Sequence, residues 1–421
     1  MYFNATHKYL FVMLAVLLLL AACSTAPSSS PTGVTLETQL HRAGSPENLP
    51  WVAYQDGDGP WQTLSGQDGR YVFPVRDPAG RYALATACTN PAMQNTRIQL
   101  IHATAAELPN PTLSCSFPKT ASETRTVSGT VTDFGGTSFT SIHITGTGSL
   151  DGPEPANPAY SVSAPPGSQR LVALGYLRDS NTWASRAVFK TLDVRGNLNL
   201  DLSFADPATQ TQPRTITVEG VGNDALIQDV RFFHPSNVYN PELGIGTQGS
   251  ATYQYGGVSQ AQQLPEDSHL AYAEAYVPGE GRGRNATAVF KRPRDLTLTL
   301  PPHLGVVQAG REMNRPRFTW EPYTANWYTV ELIGVNGRWL ALITPGWLKA
   351  SEYHTPDLLS VPNWNPAWNL PADAQIRVRL EAVRANRPVN EAVRLSSLGF
   401  PGHLSDGLIW QTAVRETILN P

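Results

Sequence analysis

Apolar and polar residues alternate with a period of two through most of this chain, in short runs broken by Gly, Pro, Asn and Asp. Residues 51–54 and 61–64 flank a turn made of Asp56, Gly57, Asp58, Gly59 and Pro60, which predicts a hairpin with Trp51 and Trp61 placed to pair across it. A second turn at Asp68 and Gly69 leads into Tyr71, Phe73 and Val75, and Gly80 precedes Tyr82, Leu84 and Thr86. Successive side chains of a strand point to opposite faces, so this rhythm predicts sheet and not helix. One stretch breaks it: residues 10–20 form a continuous apolar run near the N-terminus.

The alternation also repeats at longer range. Tyr71 and Tyr160 each open an alternating run, each is followed by a Pro and a Gly, and a second run starts at the same spacing in both. Tyr253 opens a third instance with a longer loop behind it. The sharpest match sets Ala187, Val188, Phe189 and Lys190 against Ala288, Val289, Phe290 and Lys291. Leu198, Leu200 and Leu202 then answer Leu296, Leu298 and Leu300, while Arg125, Thr126 and Val127 match Arg214, Thr215 and Ile216 at the start. Copies of about a hundred residues are whole domains and not solenoid units. The fold class expected is therefore all-β, with tandem β-sandwich modules at 34–119, 120–210 and 211–303 and a different domain at 304–421. Pro and polar residues at 119–123, 206–213 and 301–303 mark the joints.

Composition agrees with strands and turns. The 421 residues include 34 Gly and 35 Pro, only 4 Met, and 15% charged residues. A formal net charge of -3 and the lack of any Lys/Arg cluster argue against a nucleic-acid partner.

The apolar run is preceded by His7 and Lys8 and followed by Leu20, Ala21, Ala22 and Cys23. It is shorter than the roughly 20 residues a spanning helix needs, so it reads as a cleaved address and not an anchor. The Leu-Ala-Ala-Cys end resembles the lipobox of bacterial lipoproteins. That resemblance implies a leader at 1–22, a diacylglycerol on Cys23, attachment to a membrane and an extracytoplasmic location; Ser24 is compatible with sorting to an outer membrane where one exists. Residues 23–33 are Ser/Pro-rich and read as a flexible tether, holding the first module at most about 35 Å from the headgroups. With Cys23 lipidated, Cys88 and Cys115 remain as a pair in an oxidising compartment, which predicts a disulfide stabilising by on the order of 3 to 4 kcal/mol.

Seven of the ten tryptophans lie beyond residue 303. Pro316, Phe318 and Trp320, then Tyr328, Val330 and Leu332, then Leu370, Pro371, Ile376, Val378, Leu380 and Ala382 resemble strands of a fibronectin type III domain over about residues 315–385. The resemblance implies a sandwich with Trp320 in its core.

Signatures of chemistry are scarce. The sequence has no HExxH, GxSxG, P-loop or GxGxxG motif, and its nine histidines are scattered singly, so no cofactor and no metal site is implied. Asp56 and Asp58 are the best candidate Ca²⁺ ligands, set against the plainer reading of an exposed Asp/Gly turn. Trp347, Tyr353, Trp364 and Trp368 lie in a Pro/Asn-rich segment and are the candidate ligand-binding residues, since indoles beside Asn suit sugars or Pro-rich peptides. The competing reading is a small aromatic core for a large loop. The expected function is a lipid-anchored cell-envelope protein with a structural or binding role, in contact with an envelope polysaccharide or surface protein. In that picture the modules act as a spacer carrying the aromatic segment away from the membrane. The alternative is an envelope-directed hydrolase whose site is assembled from several strands.

Overall fold

The computed structural model describes residues 32–38, 48–90, 95–113, 115, 123–145, 150–177, 183–234, 240–246, 249–313, 315–335, 337–396 and 405–421. The leader, Cys23 and the tether up to Pro31 lie outside the described residues.

The first seven strands are β1 (Thr32–Thr38), β2 (Val52–Asp56), β3 (Gln62–Thr63), β4 (Arg70–Val75), β5 (Arg81–Asn90), β6 (Asn95–Thr104) and β7 (Thr112–Leu113). They form a small sheet, β4-β1-β7, and a row β3-β2-β5-β6. The next group is β8 (Arg125–Asp133), β9 (Phe139–Ile144), β10 (Leu150–Asp151), β11 (Ala159–Ala164), β12 (Gly167–Tyr176), β13 (Ala184–Val194), β14 (Leu198–Asn199) and β15 (Leu202–Ser203). Its sheets are β11-β8-β14 and β10-β9-β12-β13. A third group comprises β16 (Gln212–Glu219), β17 (Ala225–Phe233), β18 (Glu242–Ile245), β19 (Thr252–Gly257), β20 (Ser268–Val277), β21 (Arg282–Phe290) and β22 (Leu296–Thr299), arranged as β19-β16-β22 and β18-β17-β20-β21. In all three the first strand runs antiparallel to the fourth and parallel to the strand that closes the small sheet. One topology occurs three times, with Tyr71, Tyr160 and Tyr253 all on its fourth strand. The fold is an all-β sandwich architecture.

The remaining strands are β23 (Val307–Glu312), β24 (Arg315–Trp320), β25 (Trp327–Ile333), β26 (Gly337–Ile343), β27 (Glu352–His354), β28 (Ile376–Ala385) and β29 (Ile409–Leu419), with helix α1 (Val389–Ser396) before the last. A three-stranded sheet, β23-β24-β27, faces a row β29-β28-β25-β26.

These last four strands do not stand at the far end of a row of modules. β29 pairs antiparallel with β21, from Arg282 opposite Arg415 to Ala288 opposite Ile409. β26 pairs parallel with β6, from Gly337 opposite Thr96 to Ile343 opposite His102. The result is one 12-stranded sheet, β18-β17-β20-β21-β29-β28-β25-β26-β6-β5-β2-β3. The expected linear spacer is therefore not what the chain builds: the terminal strands lie between the third sandwich and the first.

Alternation assigns the two faces of this long sheet. Ala271, Ala273 and Ala275 of β20 and Ala286 and Ala288 of β21 are buried beneath the small sheet of the third sandwich, against Ile216, Val218, Tyr253 and Leu298. On the same face, Tyr328, Val330 and Leu332 of β25 and Val378, Leu380 and Ala382 of β28 pack against Val307, Phe318 and Trp320. The small sheet of the first sandwich covers the opposite face, where Val34, Tyr71 and Phe73 meet Tyr82, Leu84 and Ile101. β5 thus has both faces buried, which explains its unbroken run of weakly polar residues from Tyr82 to Cys88. Cys88 is bonded to Cys115 with Cα atoms 5.2 Å apart, tying β5 to the segment after β7.

The second sandwich adds no strand to another module's sheet and docks on the third through one antiparallel bridge, Trp183 with Gly244, and through side chains. Arg170 donates to Asp267 at 2.5 Å and to the Gln262 carbonyl at 2.9 Å, and its guanidinium lies 4.8 Å from the Phe189 ring centroid. Asp267 is wholly buried and also pairs with His234 at 2.8 Å. Gly256 marks the closest backbone approach, since a Cβ there would sit 1.8 Å from the Ala184 carbonyl oxygen.

Candidate functional site

The aromatic segment of the last domain is a clasp and not a platform. Ala83, Ala85 and Ala87 give the back of β5 a flat surface, and residues 345–370 lie across that side of the first sandwich, contributing Leu358, Val361 and Trp364 to a core shared with Trp51, Ala85 and Ile98. Trp364 stands 5.2 Å from Trp51 and 5.2 Å from Trp368, and 5.9 Å from Trp339. Their indole N–H groups are used internally: Trp51 donates to the Pro362 carbonyl, Trp339 to the Trp368 carbonyl, and Trp364 to Asn369 Oδ1. Asn365 caps the 3-10 turn Pro366–Trp368 by accepting from the Ala367 N–H.

Tyr353 and Trp347 belong to a second group centred on His102. Tyr353 is buried with its hydroxyl 3.1 Å from His102 Nε2, and the half-buried Trp347 ring lies 4.4 Å from the imidazole. All four candidate residues belong to the core between the terminal domain and the first sandwich, Trp347 and Trp368 half-buried against it, while Tyr353 and Trp364 have no face left for a ligand. This corrects the aromatic-platform reading for Tyr353 and Trp364; an irregular segment has no periodicity from which burial can be read. Trp320 is buried as the sequence implied, and Trp51 turns to Trp364 and Trp368.

The Asp56–Asp58 turn is likewise occupied. Asp56 Oδ1 accepts from the backbone N–H groups of Arg76 and Asp77, while Asp58 pairs with Arg81 at 3.1 Å and Lys349 at 2.8 Å. Lys349, and after it Arg81, hold the Asp58 carboxyl below the usual carboxylate range against the opposing effect of burial. The turn joins the first sandwich to the terminal domain and is not a cation site. Among the described residues no three His, Cys, Asp or Glu side chains converge as metal ligands, and no helix is long and apolar enough to cross a membrane.

Among the described residues, no second sheet covers the middle of the long sheet on the face opposite the packed alanines. Open sheets wider than about ten strands curl, and here a groove of about 320 Å³ crosses six strands, β20, β21, β29, β28, β25 and β26. Its lining consists of the alternates to the packed residues: Leu270 and Tyr272 between the alanines of β20, then Asn285 and Thr287, Trp410 and Thr412, Glu381 and Val383, Trp327, Thr329 and Glu331, and Arg338 and Leu340. Thr287, Thr412 and Glu331 are buried within it. The small sheet of the first sandwich covers this same face further along, over β5 and β6, and α1 packs with Val389 and Ala392 against the cluster that holds Trp327, Val383 and Leu408.

Charge is concentrated at one end. Glu331 pairs with Arg338, and Glu381 with Arg379 at 2.7 Å; Arg379 also lies 3.6 Å from Glu416. Arg97, opposite Arg338 in the register of β6 and β26, continues the row. Burial, and then the neighbouring Arg338, disfavours the charge on Arg97, and burial followed by Arg379 does the same to Arg338. At the other end Tyr272 donates to Glu274 at 2.6 Å, and Arg231 is bonded to Asp229 at 2.7 Å. The sequence signal for the groove was available in β20, where every second residue is Ala and an aromatic Tyr272 sits on the alternate face.

No family model matches the chain, and no curated relative matches it. Among solved structures it is similar to a Streptococcal ancillary pilin at 7% identity, over 65% of this chain and 100% of that one, with a TM-score of 0.15. A superposition that loose carries no argument about fold or function.

Proposed function

We propose that this protein is a lipid-anchored component of a bacterial cell envelope, held at a membrane through Cys23, that binds a ligand in the groove on the open face of its long sheet. The observation that carries the binding reading is the groove itself, a concavity that combines the rings of Tyr272 and Trp410 with hydroxyl, amide and charged side chains. The ligand class it suits best is an envelope polysaccharide, with a surface protein as the other candidate. The three-over-four arrangement of the terminal strands and the buried Trp320 support the fibronectin type III-like reading of residues 304–421.

Two experiments test the proposal. Cells supplied with labelled palmitate are expected to yield a labelled, membrane-bound protein and an unlabelled Cys23→Ser variant; a labelled variant would overturn the anchor. Calorimetric titration with surface polysaccharides of the source cell is expected to give saturable binding that Tyr272→Ala with Trp410→Ala removes while the far-UV spectrum is kept. Binding that survives the double change would place the ligand elsewhere.

One observation favours the hydrolase alternative: Glu331 and Glu381 both line the groove. Both are engaged as ion-pair acceptors of arginines, which is an arrangement for recognition. Release of new reducing ends from a bound polysaccharide, lost in Glu331→Gln, would reverse this preference.

A further inference from the structure

We infer that the Arg97–Arg338 end of the groove recognises the carboxylate of an acidic polysaccharide. The inference rests on the groove being the ligand site and names the chemistry of what it takes.

Arg97 carries the argument. Its Nε and Nη2 are buried and have no hydrogen-bond acceptor. Buried polar groups of folded proteins are nearly always paired, and an orphaned guanidinium is the donor whose rigid fork best fits a carboxylate. Register places Arg97 beside Arg338 on the face that also carries Glu331 and Leu340, one strand beyond the groove's lining and at the start of the part that the first sandwich covers. Arg377 and Arg379 stand on the same face of β28, with Arg379 opposite Glu416 and Arg377 opposite Ile418. Four arginines thus face Glu331, Glu381 and Glu416, in a chain whose formal net charge is -3. The surplus belongs to the surface around this end of the groove, since the lining itself sets Arg338 against Glu331 and Glu381.

The rest of the groove selects the carrier of that carboxylate. From β20 to β6 the face spans six strand spacings, roughly 29 Å. Along it Tyr272 and Trp410 offer aromatic surface, and Asn285, Thr287 and Thr412 offer hydroxyl and amide groups, a set suited to stacked, hydroxylated rings. An extended acidic peptide would instead seek a sheet edge, where backbone groups are unpaired. The groove lies in mid-sheet, where only side chains are presented.

The test is calorimetric titration of the purified protein with an oligogalacturonate, with the same oligomer as its methyl ester, and with poly-glutamate. The acid is expected to bind about 10- to 100-fold more tightly than the ester, the range of a charge-assisted hydrogen bond. Arg97→Gln is expected to erase that preference at unchanged thermal stability, and Arg97→Lys to restore it only in part. Equal binding of acid and ester, or a preference that survives Arg97→Gln, overturns the carboxylate inference while leaving the groove reading intact, provided binding is still lost with Tyr272→Ala and Trp410→Ala. Poly-glutamate binding as tightly as the sugar acid overturns the polysaccharide part. Absence of binding to either sugar overturns the inference outright, and the source-cell polysaccharides then decide the groove reading separately.

Discussion

The first and second sandwiches have the same topology and opposite fates. In the first, the sixth strand β6 is annealed to β26 and buried mid-sheet; in the second, the equivalent β13 ends its sheet. Arg97 is the one charged residue of β6 besides His102, whereas β13 places exposed Lys190 and Asp193 along its outer half. Charged side chains on an edge strand discourage pairing with another strand. A repeated fold can therefore be joined in two ways, by a long backbone ladder, as between β6 and β26, and mainly by a side-chain clamp where charges stand along the edge.

The strongest way to break this comparison is at the clamp. Arg170→Ala leaves Asp267 buried without its cation, and is expected to lower stability by about 3–5 kcal/mol, read by urea denaturation, with loss of amide protection confined to the second and third sandwiches. A loss spread evenly through the long sheet would mean that the joints are not separate. Next is the covalent tie: Cys88→Ser with Cys115→Ser is expected to cost about 3–4 kcal/mol through loop closure, and to loosen the first sandwich without touching the second.

Acid sharpens the comparison more gently. Burial lowers the imidazole of His102 to about 3 and, as the largest cause, those of His269 and His143 to about 4, from an ordinary 6.5. Between 6.5 and those values the unfolded chain binds more protons than the folded one, so stability falls as pH falls. The slope is at most about 1.4 kcal/mol per pH unit for each histidine. His102→Gln is expected to flatten the acid limb of a melting-temperature profile; an unchanged profile would remove His102 from the account. The smallest effect belongs to Lys349→Ala, an exposed pair with Asp58 worth about 0.2–1 kcal/mol and weaker in salt.

Much of the fold was legible because alternation and turn residues report which face a side chain takes. The match of Ala187–Lys190 to Ala288–Lys291 lies on equivalent sixth strands, and the three Leu positions of each copy lie on or beside the strands that close the small sheets. Alternation says nothing about which strand lies next door, so the pairing of β6 with β26 and of β21 with β29 was not readable. The groove was hidden for the same reason, because Tyr272 and Trp410 become neighbours only through that pairing. The both-face burial of β5 was signalled only by its small residues Ala83, Ala85 and Ala87, which alternate with Tyr82, Leu84 and Thr86.

The joining of β6 to β26 also has a consequence in time. A chain is made from its N-terminus, and contacts between distant segments form slowly. His102 waits for Tyr353, 251 residues downstream, and Trp51 for the Pro362 carbonyl, 311 residues away. Until they arrive, a newly made first sandwich presents an unguarded edge and a bare alanine face to whatever is near, while the second sandwich carries its charged edge from the moment it folds. The first part of the chain to be made is thus the last to be finished, and misassembly during synthesis is expected to begin there.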